Sequence, residues 1–291
     1  MDPEVLCSCD LCDSDRIDKI DAESNICRCL SCGYVFDNPR PTAKDVAAYY
    51  SKPTKYDSWV LEEGARDRLW KRRLGMMKKT RKPGSLLDVG TGIGQFLYHA
   101  KFHYSPVYGT EVSESAVEIA KEKYGLSVRH GDIMQLDFAE APFDNITLFH
   151  VLEHVPSPRA LIQRCREVLG PKGILVVAVP NDLHCLRAKV KILLKKLGLE
   201  KYKHLGKLGL APITLDGKVQ EIHVSHFTSD VLRRFLEKSG FSILEDGIDP
   251  YYAASGMSKL IQDMEHLVYH GILLVGGIHL NPALWIVGRR N

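Results

Sequence analysis

The chain contains 291 residues, of which 45% are hydrophobic and 26% are charged, and its formal net charge is +3. This composition is typical of a folded globular protein and excludes a disordered or fibrous chain. The small net charge does not by itself indicate nucleic-acid binding, which usually shows as a strong basic excess on one face. The length predicts one large domain with a smaller unit attached.

The first residues do not have the pattern of an export signal, because they include two acids and lack a basic segment followed by an apolar run. No stretch of the sequence reaches the roughly 18 uninterrupted apolar residues that a spanning helix requires. The nearest, residues 271–280, is short and contains glycines. We therefore expect a cytoplasmic protein.

Six of the eight cysteines lie within the first 32 residues, and four of them form two C-x-x-C pairs. Four thiolates at this spacing suit a tetrahedral zinc ion, and so short a segment would gain much of its folding energy from the metal. We predict a zinc ribbon over residues 1–40, with a structural Zn²⁺ held by Cys9, Cys12, Cys29 and Cys32. Cys7 and Cys27 are interpreted as spare thiols; a second ion, substitution for a pair member, or a redox role are the alternatives.

After the cysteine segment, residues 41–83 are predicted to be a helical linker with a basic run at 66–82. From residue 84, short apolar runs alternate with helical patterns, which is typical of a parallel sheet covered by helices on both faces. The predicted strands lie at residues 85–89, 106–111, 126–130, 145–150 and 173–179. Ser113 is a candidate N-cap for the helix after the second strand.

The most informative motif is the turn after the first of these strands, where Gly90, Gly92 and Gly94 follow Asp88. Glycines in such a turn allow positive φ and close approach of a ligand. A carboxylate at Asp88 would repel the pyrophosphate of a dinucleotide but would attract the ammonium group of a methionine moiety. Glu111, at the end of the second strand, is placed to accept hydrogen bonds from ribose hydroxyls. The pattern predicts S-adenosylmethionine as cofactor.

On these motifs, residues 86–179 resemble the class I S-adenosylmethionine-dependent methyltransferases. The resemblance implies an α/β fold with a Rossmann-like, doubly wound sheet, here preceded by the small zinc ribbon. It also implies that Asp132, in the sequence His-Gly-Asp-Ile at 130–133, contacts the adenine amino group.

Two further segments resemble sequences found in methyltransferases. Residues 143–155, FDNITLFHVLEHV, resemble the fourth-strand motif of the subgroup related to ubiquinone-biosynthesis O-methyltransferases, which implies His150 as a cofactor contact. The same motif makes His154 the best-placed candidate for a catalytic base, with a structural role in the loop as the alternative. Residues 32–41 resemble the zinc-ribbon leader found ahead of many bacterial methyltransferases of glycan and secondary metabolism.

Two more histidines, His223 and His226, precede a helix that should return to the carboxyl edge of the sheet, where open α/β sheets bind their ligands. Either could contact the acceptor or act as a base, although methyl transfer needs a base only for a poorly ionised acceptor. A structural hydrogen bond is the alternative. A metal site at these histidines is not expected, because carboxylate partners at ligand spacing are lacking in the sequence.

Residues 182–227 are predicted to be a basic insertion or lid, and residues 228–291 to complete the core with a last strand at 283–287. Between 187 and 207 the insertion has eight basic residues against one acid, interleaved with leucines. This pattern suits an anionic acceptor or an anionic membrane surface. The favoured interpretation is a solvated face whose leucines pack into the domain. Residues 260–280 are a candidate core helix, dimer contact or membrane contact.

Together these patterns predict an enzyme that transfers a methyl group from S-adenosylmethionine to an oxygen of a small-molecule or glycan-like acceptor, including anionic ones. Peripheral membrane contact fits the basic insertion, whereas nucleic acid is not an expected partner. The alternative is a zinc-ribbon adaptor that binds RNA or protein and keeps a non-catalytic methyltransferase-like domain.

Overall fold

The computed structural model describes five segments of the chain: residues 3–51, 57–213, 221–250, 252 and 254–291. Parts of the predicted linker (52–56) and of the predicted insertion (214–220) lie outside the described residues. The N-terminal unit is a small antiparallel sheet that starts with β1 (Ile17–Asp21), β2 (Ile26–Cys29) and β3 (Val35–Asp37). All three side chains of β3 are buried, so this strand faces other parts of the protein on both sides.

The predicted linker contains three helices: α1 (Ala43–Tyr50), α2 (Asp57–Leu61) and α3 (Glu63–Met77). Helix α1 begins at Thr42, whose hydroxyl accepts a hydrogen bond from the Asp45 amide while the Asp45 carboxylate bonds back to the cap. This reciprocal pair satisfies two amides that the helix leaves without a partner. In α3, Arg66 and Arg73 are buried, so the basic run contributes to packing as well as to the surface.

The large domain begins with the predicted alternation of strands and helices. Its first strands are β4 (Leu86–Val89), β5 (Val107–Glu111), β6 (Val128–His130), β7 (Phe143–Phe149) and β8 (Leu169–Pro180). The helices between them are α4 (Gln95–Ala100), α5 (Glu114–Tyr124) and α6 (Pro158–Val168). Ser113 caps α5 as predicted, since its hydroxyl accepts from the Ala116 amide, and α5 ends at Gly125 in the left-handed conformation.

The segment predicted as an insertion contains α7 (Leu186–Lys196), a short 3₁₀ helix (Glu200–Tyr202) and β9 (Ser225–His226). Strand β9 pairs antiparallel with β3, so the N-terminal sheet has the order β1-β2-β3-β9. Phe227, directly after β9, contacts the ring of Tyr34 in the same buried cluster as side chains of β7 and β8. The N-terminal unit therefore shares one hydrophobic core with the large domain.

The chain ends with α8 (Ser229–Lys238), β10 (Phe241–Ile248), α9 (Gly256–Gly276) and β11 (Ala283–Arg290). The large sheet has the order β10-β11-β8-β7-β4-β5-β6, with β11 antiparallel to both neighbours and the other strands from β4 to β8 parallel. The predicted α/β, doubly wound sheet is confirmed. Its strand order switches between β4 and β7, where open sheets of this kind bind ligands at their carboxyl edge. No helix in the described ranges has both the length and the apolar character to cross a membrane.

Candidate functional site

The glycine turn lies at the carboxyl end of β4, at the switch in strand order. Gly90, Gly92 and Gly94 have φ values of +69°, +57° and +80°. A Cβ added to Gly90 would lie 2.6 Å from Val151 Cγ2, and one added to Gly92 would lie 2.8 Å from Trp59 Cζ3. These positions therefore need glycine both for backbone conformation and for space. The same contacts show that the loop after β7 and helix α2 adjoin the turn.

Two buried carboxylates lie beside this turn. Asp88 is 3% exposed and accepts a hydrogen bond from the Thr147 hydroxyl at 2.6 Å. Glu111 is 6% exposed and accepts from the amides of Gly92 at 2.8 Å and Ser113 at 3.0 Å. Burial raises the pKa of Asp88 to about 7 and also raises the pKa of Glu111. Such carboxylates suit a ligand that brings an ammonium group and hydroxyl donors, as S-adenosylmethionine does.

Helix α2 contributes Trp59, which the sequence analysis did not identify as a site residue. Its ring lies against Gly92, and the Arg66 guanidinium lies 3.9 Å from the centre of that ring. Trp59 also packs with the buried Ile93, which lies between Gly92 and Gly94 in the turn. The helical linker thus covers the glycine turn, which no periodicity in residues 41–83 indicates.

The remaining predicted cofactor contacts, Asp132 and His150, lie at the ends of β6 and β7. Asp132 is exposed, and its Oδ1 accepts from the Met134 amide at 3.0 Å. His150 has φ +57°, and its ring lies between two buried carboxylates, with Nε2 3.2 Å from Asp249 Oδ2 and Nδ1 3.3 Å from Glu153 Oε1. Burial lowers its pKa, but Asp249 and Glu153 outweigh that effect and raise it. Its role as a cofactor contact stays a prediction.

Directly after His150, the structure brings Glu153 and His154 together with His223. The ligand atoms of these three side chains all lie within 4.8 Å of one another. The expectation that His223 lacks carboxylate partners was wrong: its Nδ1 lies 2.8 Å from Asp182 Oδ2 and its Nε2 lies 3.3 Å from Glu221 Oε2. Glu153 and Asp182 come from other segments of the chain, so spacing around His223 could not reveal them.

His154 is buried in this cluster, and burial lowers its pKa. Its Nδ1 lies 2.6 Å from the Ile222 carbonyl oxygen and 3.0 Å from the Tyr50 hydroxyl. His154 Nε2 lies 3.7 Å from Glu153 Oε1. The side chain thus has both a structural hydrogen bond and one ring nitrogen directed into the cluster.

His226 has a different environment, because it lies in β9 of the N-terminal sheet and is 5% exposed. Its Nε2 lies 2.9 Å from Asp37 Oδ2, and its Nδ1 lies 3.5 Å from Asp182 Oδ2. Burial works against the charged ring, yet Asp182 and Asp37 raise the pKa of His226 to about 9. The positively charged His226 therefore joins β3 to the segment after β8.

The four predicted zinc ligands also meet in space. The sulfur atoms of Cys9 and Cys32 are 3.6 Å apart, as are those of Cys12 and Cys29. None of the eight cysteines, all of which lie in the described residues, forms a disulfide bond. Within the described part of the chain, the cysteine group suited to a metal contains these four residues and not Cys7 or Cys27.

The basic insertion differs from its favoured interpretation. Leu193 and Leu197 are 55% and 66% exposed, and Leu186, Val190 and Leu199 are also exposed. The expectation that the leucines of this segment pack into the domain was wrong for these residues. The amphipathic pattern is real, but part of its apolar side faces outward.

Among curated proteins, the chain is 29% identical over 171 residues to the O-methyltransferase resE of Aspergillus sclerotiorum, covering 50% of this chain and 65% of that protein. It is 35% identical over 107 residues to the ubiquinone biosynthesis O-methyltransferase of Coxiella burnetii, covering 35% of this chain and 46% of that protein. The chain thus spans about half to two thirds of the length of these relatives.

Among solved structures, the fold is similar to the magnesium protoporphyrin IX methyltransferase of Synechocystis PCC 6803 with bound SAH, at 17% identity and a TM-score of 0.53. That alignment covers 86% of this chain and 100% of the other. The family model described as a methyltransferase domain matches residues 61–246, which is more than half of the chain. The resemblance of residues 86–179 to methyltransferases is thereby confirmed, and the chain belongs to the methyltransferase-domain family.

Proposed function

We propose that the protein transfers a methyl group from S-adenosylmethionine to an oxygen of a small-molecule or glycan-like acceptor. The observation that carries this proposal is the pair of buried carboxylates, Asp88 and Glu111, beside a turn whose three glycines all have positive φ. Membership of the methyltransferase-domain family and the names of the O-methyltransferase relatives support the same activity.

The cofactor residues have complementary roles in this proposal. Asp88 and Glu111 hold the ammonium group and the ribose, Asp132 contacts the adenine, and Gly90, Gly92 and Gly94 let the cofactor approach the backbone. The sulfonium supplies an electrophilic methyl group. The protein then has to hold the acceptor oxygen in line with it and exclude water, which Trp59 and the linker helices favour by covering the turn.

The acceptor is expected beside Glu153, His154 and His223, because this cluster follows β7 and the neighbouring Val151 contacts the glycine turn. His226 is better suited to a positioning role, since it is buried between Asp37 and Asp182. This distribution makes His154 and His223 the histidines that act on the acceptor.

We also propose that Cys9, Cys12, Cys29 and Cys32 hold a structural Zn²⁺. Sulfur atoms at the corners of a tetrahedron with Zn–S bonds of about 2.3 Å are separated by roughly 3.8 Å. The observed separations of 3.6 Å fit that geometry. A site with four cysteine ligands has no open position, so it leaves the reaction to the large domain.

Calorimetric titration of the zinc-loaded protein with S-adenosylmethionine, with NAD as the control ligand, tests the cofactor site. We expect binding of S-adenosylmethionine alone, and its loss in Asp88→Ala, Gly92→Arg and Glu111→Ala. Gly64→Arg is a matched control, because Gly64 is exposed in α3 with no atom near its Cβ position.

Retained affinity in all three site variants would refute the residue assignment. A well-folded wild-type protein that binds no S-adenosylmethionine would refute the activity and favour the adaptor alternative. The family match and the buried carboxylates at the glycine turn do not favour that alternative.

A further inference from the structure

Glu153 is a buried acid without the hydrogen bonds that such a group needs. It is 1% exposed, and neither carboxylate oxygen has a hydrogen-bond partner in the described structure. The nearest ring nitrogens, His150 Nδ1 at 3.3 Å and His154 Nε2 at 3.7 Å, lie at ion-pair distance but do not meet hydrogen-bond geometry. Buried charges in proteins are paired or coordinate metals, because an isolated one is costly.

The two histidines of the cluster each have one nitrogen engaged away from Glu153. His154 Nδ1 lies 2.6 Å from the Ile222 carbonyl oxygen, which can only accept, so Nδ1 carries the proton. The Nε2 of neutral His154 then has a lone pair directed towards Glu153. His223 Nδ1 is likewise held by Asp182 at 2.8 Å. His223 Nε2 lies 3.3 Å from Oε2 of the partly exposed Glu221, a contact that a bound metal ion would replace. The cluster thus brings two imidazole nitrogens and a carboxylate without hydrogen bonds to one place.

From this arrangement we propose a binding site for a divalent transition-metal ion, with Glu153, His154 Nε2 and His223 Nε2 as ligands. Two imidazoles and one carboxylate favour Mn²⁺, Fe²⁺, Co²⁺ or Zn²⁺ over Mg²⁺ and Ca²⁺, which prefer oxygen ligands. Asp182 and the Ile222 carbonyl orient the imidazoles, as second partners of metal-bound histidines commonly do. Three ligands leave coordination positions open, in contrast to the four-cysteine cluster.

The role of this ion rests on the proposed methyl transfer. The ion binds the acceptor hydroxyl and lowers its pKa, so that the proton passes to solvent water before transfer. The resulting oxyanion attacks the methyl carbon of the sulfonium. An O–C bond forms as the C–S bond breaks, the electron pair goes to sulfur, and the sulfonium becomes a neutral thioether.

The test is the metal content of the full chain after chelation and reloading with Co²⁺. We expect two ions per wild-type chain: one with intense thiolate-to-cobalt charge-transfer absorption from the cysteines, and one without it. Glu153→Gln and His223→Ala should each keep only the thiolate-bound ion. Asp182→Asn should weaken the second ion about 10- to 100-fold. Glu167→Gln and His204→Ala, at exposed positions outside the cluster, should retain both ions.

One ion in the folded wild-type protein, or two ions in folded Glu153→Gln and His223→Ala, would overturn the proposal. Calorimetry of the same samples separates it from the proposed function. Wild-type protein that binds two ions but no S-adenosylmethionine contradicts the methyl transfer, whereas one that binds S-adenosylmethionine and only the thiolate-bound ion contradicts the second site.

A separate observation concerns α9, whose apolar residues form one stripe that faces outward. The spacing of three and four residues places them on one side of the helix. The exposed members are Met257, Leu260, Ile261, Met264, Leu267, Val268, Leu274 and Val275. Other positions of α9 hold it to the protein: Asp263 pairs with Arg72 at 3.2 Å, and the side chain of Tyr269 is buried.

Helix α7 is joined at its N-terminal end to α9 and to the segment after it, and it supplies positive charge. Arg187 of α7 pairs with Glu265 of α9 at 3.0 Å, and the Leu186 amide donates to the Leu280 carbonyl oxygen at 2.9 Å. The exposed lysines of α7 that form no ion pair with a described residue are Lys189, Lys191 and Lys196. These lysines thus lie on a helix that contacts α9 at one end and has exposed apolar residues of its own, Val190 and Leu193.

We propose that α7 and α9 bind an anionic membrane surface, with the apolar stripe of α9 in the interfacial region and the lysines of α7 near lipid phosphates. An apolar helix face beside basic residues is the combination that anchors interfacial helices. A second copy of the chain would bring the same positive charges to this surface, so the lysines would not favour a dimer.

Flotation with vesicles tests this surface. We expect the wild-type protein to bind phosphatidylglycerol vesicles and to bind pure phosphatidylcholine at least about tenfold more weakly. Leu267→Glu combined with Leu274→Glu should abolish binding, and Lys191→Glu combined with Lys196→Glu should weaken it on the order of tenfold or more. Phe102→Glu, at an exposed apolar residue outside both helices, is the control.

Equal binding to both vesicle types would overturn the proposed role of the lysines. Absence of binding, together with a dimer in light scattering that the Leu267→Glu and Leu274→Glu changes dissociate, would assign the stripe to a second copy.

Discussion

The cysteine cluster and the Glu153–His154–His223 cluster differ in the number of their potential ligands and in the segments that supply them. The cysteines come from two tight turns, Cys9 and Cys29 are completely buried, and the four sulfur atoms surround one point. The second cluster has three ligand groups from two separate segments, oriented by Asp182 and the Ile222 carbonyl. A closed set of four ligands suits folding, whereas an open set of three suits chemistry. The two clusters therefore predict different effects of mutation.

The largest effect on stability is expected at the cysteine cluster. Cys29→Ser removes a buried ligand, and structural zinc contributes on the order of 10 kcal/mol to the folding of isolated zinc fingers. We expect this variant to lose zinc and to show a larger fall in Tm than the other single substitutions. Metal analysis and thermal unfolding measure the two effects. Cys7→Ser, at an exposed cysteine outside the cluster, should change neither, and an equal fall there would contradict the assignment.

A smaller loss of stability is expected from a change at Asp249, which contacts both His150 and Arg73. Arg73 Nε donates to Asp249 Oδ1 at 2.8 Å, and both side chains are fully buried. Asp249→Asn removes the charge of a buried carboxylate that pairs with Arg73, and breaking a buried ion pair typically costs about 3–5 kcal/mol. Urea unfolding measures the loss. Asp263→Asn, in the partly exposed pair with Arg72, is the control; an equal loss there would show that burial of the pair does not matter.

The smallest of the three effects is a pH dependence of stability due to His226, which joins β3 to the segment after β8. The pKa of His226 is raised to about 9 by Asp182 and Asp37, above the ordinary value of 6.5. Its contribution to stability is therefore complete below about pH 6.5 and lost as pH rises through 9. We expect the free energy of unfolding to fall by about 2–3 kcal/mol over that range. The difference between wild type and His226→Gln isolates this part; a difference that does not change with pH would contradict it.

The parts of the molecule that could be predicted from the sequence are those with local patterns. The two C-x-x-C pairs and the glycine turn each depend on residues a few positions apart, and the alternation of β4 to β8 with helices follows from apolar periodicity. The other contacts depend on the topology, which brings distant segments of the chain together. Asp37 and His226 are 189 positions apart, and no local signal indicates that they meet.

The Glu153–His154–His223 cluster could not be predicted from local sequence patterns for the same reason. Glu221 lies two positions before His223, but Glu153 and Asp182 come from the loop after β7 and from the segment after β8, so only the sheet order brings these two carboxylates to His223. The adjacent pair Glu153-His154 at the end of a central strand was the one available signal. Likewise, the pattern of α7 shows that it is amphipathic, but not which of its sides packs against the domain.

Strand β9 gives the N-terminal sheet a fourth strand that the ribosome makes only after most of the chain has been translated, because Ser225 follows its partner Phe36 by nearly two hundred positions. Until then, β3 has an unpaired edge. An excised ribbon that ends before β9 keeps this edge and loses Phe227 from its core. Such a fragment is expected to aggregate by edge-to-edge pairing even with the proposed zinc ion bound, so the N-terminal sheet is not expected to fold as an independent module.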